Sequence, residues 1–425
     1  MNTSIKNKCN INTTIIVPGD KSISHRSVML GSLAKGTTHI SGFLNGADCL
    51  STIDCFKKMG VNVEIDGTNV TIYGKGLHGL TSPKETLDVG NSGTTLRLIT
   101  GILSAQNFSC NITGDSSIQK RPMDRVEKPL RLMGAEIKGN TDRILAPLEI
   151  IGKKLSAIEY TLPVASAQVK SAIILAGLYA DGETIIIEPE PTRDHTEIML
   201  NYLGADIKRV NDRIICKPIE ELYAKDIIVP GDISSAAYFM VAAAICKNSE
   251  IIVKNVGLND TRTGIITAME AMGANMEILN EHVVCGEKVG DIRICTSNLK
   301  GTIIGGKDIP RLIDEIPAIA VAACFADGQT IIKDAQELKV KESNRIKTVV
   351  CELTKMGANI TETEDGMIIT GVKKLKGAKI DSYNDHRIAM SMAIAGLCSD
   401  GETVIENSEC VDISFPGFFE LIRNL

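Results

Sequence analysis

One short phrase recurs along the chain and determines the fold class. It reads FKKMGVNVEI (56–65), LRLMGAEIK (130–138), LNYLGADIK (200–208), MEAMGANMEI (269–278) and LTKMGANIT (353–361). Each copy has a helix-like run, one glycine and then alternating apolar residues, which predicts a helix that ends at the glycine and leads into a strand. A sixth copy falls near the end of the chain, at FFELIRNL (418–425).

A second phrase runs in step with the first and contains a small-residue apolar helix, a turn and a Thr/Ile-rich strand. Its copies are MLGSLAKGTTHI (29–40), ITGILSAQNFSCNI (99–112), AIILAGLYADGETIII (172–187), FMVAAAICKNSEIIV (239–253), AIAVAACFADGQTIIK (318–333) and MAIAGLCSDGETVI (392–405). The chain is therefore predicted to be an α/β protein of six βαβαββ units. The first helix of each unit is apolar nearly all round, so it should be buried, whereas the second is more amphipathic.

The composition excludes several classes of function. The 425 residues carry a net charge of −6, with 7 Tyr, 8 Phe and no Trp, which argues against nucleic-acid binding. The longest apolar run, residues 316–326, is too short to cross a bilayer, and the first ten residues lack a secretory apolar segment. None of the 12 cysteines forms a CxxC motif, so reduced thiols in the cytoplasm and no metal cluster are expected.

Each apolar helix is preceded by a turn rich in Gly, Pro, Ser, Asp or Asn. These segments are VPGDKSISHR (17–26), DVGNSGTTLR (88–97), LPVASAQVKSA (162–172), VPGDISSAAYF (229–239), IPRLIDEIPAIA (309–320) and IDSYNDHRIAM (380–390). Helix N-termini of this kind attract anions. The near-identity of VPGDKS and VPGDIS indicates repetition by halves, so we expect one domain at 20–229 and another built from 1–19 and 230–425.

Ionisable residues in these turns indicate a binding site for small anions. Lys21, Arg26 and Arg97 lie at predicted helix starts, where the helix dipole disfavours cations. Further cations follow the Thr/Ile strands, at Lys120, Arg121, Arg193, Arg262, Lys341 and Arg345. Asp314, Glu342, His386 and Lys21 are the candidates for proton transfer. For any single residue, an ordinary solvated or paired charge is an equally good interpretation. The chain has no GxxxxGK[ST] motif, and its one GxGxxG, GKGLHG (74–79), leads into a Pro- and Gly-containing stretch instead of a helix-like run, so ATP and dinucleotides are poor candidates.

The motifs taken together resemble the enolpyruvyl transferase family, in the branch whose acceptor is shikimate 3-phosphate. The resemblance spans essentially the whole chain and rests, in order, on PGDKSISHR, GNSGTTLRL, QKRPM, SAQVKSA, PTRDHTE, DEIPAIAVAA, KVKESNRI and NDHRIAM. It implies transfer of the enolpyruvyl group of phosphoenolpyruvate to the 5-hydroxyl of shikimate 3-phosphate, a step of aromatic amino acid biosynthesis. Phosphate leaves through a tetrahedral addition–elimination intermediate, and no cofactor or metal is used.

The resemblance also implies an architecture and a set of site residues. The fold is a two-domain inside-out α/β barrel, with three repeats per domain, helices inside, sheets outside and the active site in the interdomain cleft. A monomer is expected. The implied shikimate 3-phosphate ligands are Lys21, Ser22, Arg26, Ser166, Ala167, Gln168, Arg193, Asp314 and Lys341. The implied phosphoenolpyruvate ligands are Lys21, Asn91, Gly93, Thr94, Arg121, Gln168, Arg345 and Arg387. Asp314, Glu342, Lys21 and His386 carry the proton transfers, and glyphosate would contact the backbone at Gly93.

The sequence departs from the family pattern at three positions. Asn344 stands where Asp is frequent, Ala167 where some members have a second Ser, and Ile413 where many have Lys. Two alternative functions stay open at this stage. One is enolpyruvyl transfer to UDP-N-acetylglucosamine, although the loop 115–123 lacks the reactive cysteine that this sister enzyme generally carries. The other is a non-catalytic phosphate-ligand-binding repeat protein, which would not need Asp314, Glu342 and His386 together.

Overall fold

The structure is a computed structural model that describes residues 1–140, 143–372 and 374–425. The helices are α1 (Lys21–Leu33), α2 (Ala47–Lys58), α3 (Gly93–Leu103), α4 (Asp124–Leu132), α5 (Ala167–Gly177), α6 (His195–Tyr202), α7 (Ile233–Ile245), α8 (Gly264–Ala271), α9 (Ile309–Leu312), α10 (Ile316–Cys324), α11 (Arg345–Lys355), α12 (His386–Leu397) and α13 (Phe418–Asn424). Short 3-10 helices lie at Ile118–Lys120, Gly306–Asp308, Gln336–Val340 and Ser408–Ile413.

The strands are mostly short, as expected of a chain that alternates helices with strands. They are β1 (Asn2–Lys6), β2 (Asn12–Ile16), β3 (Ala34–Ser41), β4 (Asn62–Asp66), β5 (Asn69–Lys75), β6 (Leu87–Asp88), β7 (Ser109–Thr113), β8 (Glu136–Lys138), β9 (Leu148–Ile151), β10 (Glu159–Thr161), β11 (Thr184–Ile187), β12 (Ile207–Val210), β13 (Arg213–Cys216), β14 (Leu222–Tyr223), β15 (Ile227–Ile228), β16 (Glu250–Gly257), β17 (Asn275–Val284), β18 (Glu287–Cys295), β19 (Ile303–Ile304), β20 (Gln329–Ile332), β21 (Asn359–Glu362), β22 (Met367–Thr370), β23 (Leu375–Lys376), β24 (Lys379–Asp381), β25 (Ser399–Asp400) and β26 (Glu402–Glu406).

The chain divides into two compact units. The first unit comprises Gly19–Val229 and Val284–Glu287, and the second comprises Met1–Pro18, Pro230–Val283 and Lys288–Leu425. The four residues 284–287, at the turn between β17 and β18, group with the first unit, which no sequence signal anticipates.

Three sheets with one topology make up the first unit. Their strand orders are β14-β3-β5-β4, in which β15 also pairs with β3, β6-β7-β9-β8 and β10-β11-β13-β12. In each sheet the first pair is parallel and the remaining pairs are antiparallel. A buried helix connects the parallel pair in the second and third sheets, as in the predicted unit. In the first sheet the outer strands β14 and β15 come from the end of the segment instead.

The second unit repeats this topology twice and modifies it once. The orders β2-β16-β18-β17 and β19-β20-β22-β21 match those of the first unit, each beginning with a parallel pair. The outer strand β2 comes from the start of the chain. The last sheet has the order β1-β26-β24, because β1 pairs antiparallel with β26 where the other sheets have a hairpin. The sixth copy is therefore incomplete, and its sheet uses the N-terminal residues of the chain.

The repeated glycines form the predicted helix ends. Gly60, Gly134, Gly204, Gly273 and Gly357 all have positive φ, between 78° and 101°. At each copy the glycine N–H donates to the carbonyl three residues before it, and the next N–H donates to the carbonyl five residues before itself, as in Val61 N–H to Phe56 O at 3.0 Å. This is the Schellman motif, which needs a residue in the left-handed conformation that glycine adopts without strain.

The apolar helices are buried, as predicted. In the first unit α3 and α5 pack against each other and α1 contacts α3, while in the second unit α7, α10 and α12 contact one another. All nine residues of α10 and all twelve of α12 are buried. The second helices are buried on one face only: α2 and α11 each bury about half of their residues. In the described part of the chain no helix has both the length and the apolar character needed to span a membrane.

Candidate active site

The start of α1 places two of the predicted cations in the first unit. Asp20 caps the helix by accepting the Ile23 backbone N–H at 2.8 Å, and Lys21 is the first helical residue. Lys21 Nζ lies 2.5 Å from Asp48 Oδ2, with 24% of the Lys21 side chain exposed. Asp48 thus offsets the unfavourable position of a cation at a helix N-terminus. It is a partner that the sequence reasoning did not identify.

Arg26 lies one turn further along α1 and is 4% exposed. Its guanidinium donates to neutral oxygens: Thr196 Oγ1 at 2.7 Å, Ser171 Oγ at 2.9 Å and the Ser22 carbonyl at 3.0 Å. Burial lowers the pKa of Arg26 to about 10, outweighing the carboxylates that raise it. Arg26 therefore stays charged at neutral pH while bonded to neutral groups. A dianionic ligand would complement such a charge.

The N-terminus of α3 lies against two guanidinium groups. A Cβ at Gly93 would be 2.7 Å from Arg97 Nη1 and 3.2 Å from Arg121 Nη1. Only a residue without a side chain leaves this space between the helix N–H groups and both arginines. Ser92 caps the helix by accepting the Thr95 N–H at 3.1 Å. Backbone donors and two cations converge here, as an anion site requires.

Side chains from three segments hold these arginines. Arg97 Nη1 donates to Gln168 Oε1 at 2.7 Å, and Gln168 Nε2 donates to Thr94 Oγ1 at 3.1 Å. Arg121 Nη2 donates to Asn91 Oδ1 at 3.0 Å and to Ser117 Oγ at 3.1 Å. The predicted residues Asn91, Thr94, Arg121 and Gln168 are therefore parts of one network around Gly93. Arg97 belongs to this network as well. The sequence indicated Arg97 as a candidate because it is a cation near a predicted helix start.

Ser166 and Ala167 occupy the corresponding start of α5. Ser166 is the N-cap and its Oγ accepts the Val169 N–H at 3.4 Å, while Ala167 is the first helical residue. Arg193 follows β11 and lies close enough to Arg26 for its charge to lower the pKa of Arg26. The predicted ligands near the start of α5 and in the loop 189–194 are thus brought toward Arg26 within the first unit.

A buried lysine supports this region, and the sequence reasoning missed it. Lys170 has a fully buried side chain, with Nζ 2.8 Å from Glu197 Oε1 and 3.1 Å from Glu188 Oε1. Nζ also donates to the carbonyl of Thr192 at 3.2 Å, which fixes the residue before Arg193. The available signal was a lone charged residue within the apolar stretch QVKSAIILAG.

In the second unit a buried arginine joins three carboxylates. Arg345 begins α11, its side chain is 2% exposed, and Nε lies 2.9 Å from Asp385 Oδ2. Nη2 lies 2.5 Å from Glu342 Oε2, and Nη1 lies 3.4 Å from Asp314 Oδ1. Burial alone would lower the pKa of Arg345, but Asp385, Glu342 and Asp314 raise it. The guanidinium thus holds both predicted proton-transfer carboxylates in place.

The remaining predicted residues of the second unit surround this cluster. Lys341 Nζ lies 3.4 Å from Asp314 Oδ1. Asp385 caps α12 by accepting the Arg387 N–H at 2.9 Å, so His386 and Arg387 are its first two residues. Burial works to raise the pKa of Asp385, but Arg345 and His386 keep it below the ordinary value. The structure thereby groups the predicted residues Asp314, Lys341, Glu342, Arg345, His386 and Arg387.

Arg387 is buried against an aromatic hydroxyl. Its Nη1 donates to Tyr238 Oη at 3.5 Å. Burial works against its charge, but Tyr238, Asp314 and further carboxylates raise its pKa well above the usual value. Burial raises the pKa of Tyr238 to about 12, so Tyr238 stays protonated. Tyr238 was not among the predicted residues.

Two of the positions that depart from the family pattern lie at the ends of helices. Asn344 caps α11 by accepting the Lys347 N–H at 3.2 Å, which Asn performs as well as Asp. Ile413 ends the 3-10 helix Ser408–Ile413 and is half-buried. No group of three or more His, Cys, Asp or Glu in the described residues is arranged to hold a metal ion.

Comparison with known proteins identifies the family. The family model described as "EPSP synthase (3-phosphoshikimate 1-carboxyvinyltransferase)" matches residues 5–422. The chain belongs to the EPSP synthase family. A 3-phosphoshikimate 1-carboxyvinyltransferase of Thermoanaerobacter sp. (strain X514) is 56% identical over 420 residues, which cover 99% of each chain. That of Bacillus anthracis is 56% identical over 415 residues, 98% of this chain and 97% of the relative.

Solved structures agree with this assignment. An EPSP synthase from Acinetobacter baumannii is 47% identical, with a TM-score of 0.91, and the match covers 100% of this chain and 98% of that chain. The family expected from the motifs is confirmed, the chain is a mixed α/β enzyme of the EPSP synthase family, and the sister-enzyme alternative is not favoured.

Proposed function

We propose that this protein transfers the carboxyvinyl group of phosphoenolpyruvate to the 5-hydroxyl of shikimate 3-phosphate and releases phosphate. The observation that carries the proposal is the Arg345 cluster, in which one buried guanidinium holds Asp314 and Glu342, with Lys341 also paired to Asp314. A protein that only binds phosphorylated ligands has no need of carboxylates beside its anion site, because they repel the ligand. Transfer to a hydroxyl does need them, because protons must leave oxygen and reach carbon.

The proton balance assigns the carboxylates. The oxygen of the 5-hydroxyl bonds to C2 of phosphoenolpyruvate while Asp314 accepts the proton of that hydroxyl. C3 of phosphoenolpyruvate gains a proton, which gives the tetrahedral intermediate. Loss of a proton from C3 then expels phosphate and restores the double bond. We assign the transfers at C3 to Glu342 together with Lys21 and His386. Arg345 keeps the carboxylates oriented throughout.

The first unit supplies most of the binding groups for shikimate 3-phosphate. Arg26 is a buried cation bonded to neutral partners, so it suits the ligand's phosphate. Ser166 and Ala167 provide the N-terminus of α5, and Gln168 is the next residue of that helix. Arg193 lies near Arg26. Lys21 and Ser22 contribute from α1, and Asp314 and Lys341 contribute from the second unit.

Phosphoenolpyruvate is assigned to the groups around Gly93. The α3 N-terminus, Arg121 and Thr94 provide donors to its anionic groups, with Asn91 at the edge, and Lys21, Gln168, Arg345 and Arg387 complete the set. The double role of Lys21, between both ligands, fits its position at the start of α1.

We also propose the domain arrangement that the family resemblance implies. Residues 20–229 form one domain and residues 1–19 with 230–425 the other, each with three repeats in an inside-out barrel with helices inside. The active site lies in the cleft between them and closes over the substrates. Small-angle scattering with both ligands should then show compaction, and an unchanged radius of gyration would count against closure. Sedimentation checks the proposed monomer.

One assay tests the reaction. The protein is incubated with phosphoenolpyruvate, and phosphate release is measured with shikimate 3-phosphate or UDP-N-acetylglucosamine as acceptor. Release should depend on shikimate 3-phosphate. Release only with the sugar nucleotide would overturn the proposal, and binding of phosphoenolpyruvate without release under either condition would favour a non-catalytic protein.

A further inference from the structure

Three cysteines meet at one end of the second unit, far along the sequence from one another. Cys246 follows the last residue of α7 and Cys398 follows the last residue of α12, and their Sγ atoms are 2.7 Å apart. Cys246 is 1% exposed, whereas Cys398 is half-buried. No role in the proposed reaction falls on either residue.

The N-terminal segment brings the third cysteine to the same place. The Lys8 N–H donates to the Leu397 carbonyl at 2.8 Å, and the Asn10 N–H donates to the Lys247 carbonyl at 2.9 Å. Cys9 is therefore held between the residues that adjoin Cys398 and Cys246. Its charge is near enough to raise the pKa of Cys398.

The exposure of the three thiols decreases in order. Cys9 is exposed, Cys398 is half-buried and Cys246 is buried. Asn10 Nδ2 lies 3.5 Å from Cys9 Sγ. The hydrogen bond to Cys246, followed by burial, raises the pKa of Cys398. An oxidant from solvent therefore reaches Cys9 first, because Cys9 is the most accessible of the three thiols.

We propose that Cys9, Cys398 and Cys246 form a thiol relay that small-molecule disulfides oxidise to a Cys246–Cys398 disulfide. The Cys9 thiolate attacks a disulfide RSSR, forming Cys9–S–SR and releasing RS⁻. Cys398 attacks the Cys9 sulfur and expels the second RS⁻, and Cys246 then attacks the Cys398 sulfur and restores the Cys9 thiolate. Overall, two thiols lose two electrons and two protons, and RSSR becomes two RSH.

The product would join the C-terminal ends of two core helices. An S–S bond of about 2.05 Å requires only a small approach of the two sulfur atoms. His386, the proposed catalytic residue of α12, lies at the other end of that helix, roughly 18 Å away at 1.5 Å per residue. We therefore expect oxidation to stabilise the second unit against unfolding and to leave turnover nearly unchanged. The relay does not depend on the proposed function.

The experiment uses the full chain with oxidised glutathione as the probe. After timed exposure, free thiols are alkylated and the linked peptides are identified by mass spectrometry. The wild-type chain should form the Cys246–Cys398 disulfide, and Cys9→Ser should slow its formation by about ten-fold or more. Cys246→Ala should instead accumulate glutathione on Cys9 or a Cys9–Cys398 disulfide. Cys351→Ser, which removes another exposed thiol, is the matched control and should behave as wild type.

Two results would overturn the proposal. One is stable glutathionylation of Cys9 in the wild-type chain with no internal disulfide. The other is formation of the Cys246–Cys398 disulfide at the same rate in Cys9→Ser as in the wild type, which would remove Cys9 from the relay. Because Cys9 is exposed, its substitution leaves the fold intact, and the second comparison stays informative even if a Cys246 variant fails to fold.

Discussion

Asp385 and Arg345 are buried together in the second unit, and each depends on the other. Asp385→Asn removes one of the three carboxylates around the buried guanidinium and leaves Glu342 and Asp314, so it should cost about 1–3 kcal/mol of unfolding free energy. Urea unfolding at neutral pH measures this loss. Glu420→Gln, an exposed substitution on α13, is the control and should change little.

The same pair predicts a pH dependence. The pKa of Asp385 is lowered in the folded state, so its stabilising contribution is present above its unfolded pKa, about 3.9, and is lost as pH falls through the folded value. The difference in stability between wild type and Asp385→Asn should therefore be largest above about pH 4 and shrink below it. A difference that stays constant as pH falls would show that Asp385 is not ionised in the folded protein.

Glu342 should affect turnover more than binding. Glu342→Gln keeps an oxygen that can accept from Arg345 but cannot exchange a proton, so we expect kcat to fall by about 10²–10⁴ with KM values changed much less. Steady-state phosphate release measures both. Wild-type turnover in this variant would remove Glu342 from proton transfer and leave it a role in orienting Arg345.

Gly93→Ala should selectively weaken phosphoenolpyruvate binding. The added methyl would lie 2.7 Å from Arg97 Nη1 and force that side chain away from Gln168. We expect the KM for phosphoenolpyruvate to rise by about ten-fold, or roughly 1.4 kcal/mol, with the KM for shikimate 3-phosphate nearly unchanged. Thr94→Ser retains the oxygen that accepts from Gln168 and serves as the control. Equal KM changes for both substrates would contradict the assignment.

At the scale of elements, the repeated glycine makes a stability prediction. Gly357 has φ +84° and no atom within 4 Å of an added Cβ, so Gly357→Ala isolates backbone strain from crowding. The substitution should destabilise the second unit by about 1–2 kcal/mol. Gly182→Ala, at a negative-φ position with ordinary contacts, should be nearly neutral. Equal urea midpoints for the two variants would contradict the strain argument.

Local patterns explain why so many elements were predictable. The repeated phrase around Gly60, Gly134, Gly204, Gly273 and Gly357 specifies its own helix end, because the left-handed glycine and its hydrogen bonds lie within a few residues of sequence. The buried helices were equally predictable, because a helix that is apolar on all sides has no alternative to burial. The supporting ion pairs were not: Lys170 reaches Glu188 across 18 residues and Asp385 reaches Arg345 across 40. Sequence shows that such charges exist but not which ones meet.

At the scale of the molecule, the ends of repeats were the hardest part to predict. A repeat pattern implies that each sheet is built from consecutive strands. Yet β15 completes the first sheet of the first unit and β2 the first sheet of the second unit. The pattern also gave no reason to expect β1 in the last sheet, because a strand at one terminus carries no signal of its distant partner. Within each unit the candidate residues lie at helix starts or in the loops beside them, which is where the repeated turns of the sequence lie.

This use of the N-terminus leads to a prediction for the two units. Deleting residues 1–6 removes β1, which pairs along its whole length with β26 and buries Ile5 in the core of the second unit. The second unit should therefore open more readily, while the segment 19–229, whose sheets do not use β1, should keep its stability. Limited proteolysis followed by mass spectrometry should show faster cleavage within 230–425 and survival of a fragment spanning 19–229. Ser4→Ala, which changes one exposed side chain of β1, should be cleaved as slowly as wild type. Equal acceleration of cleavage in both segments would mean that the units unfold together, because the loss of β1 would then have been transmitted to sheets that it does not touch.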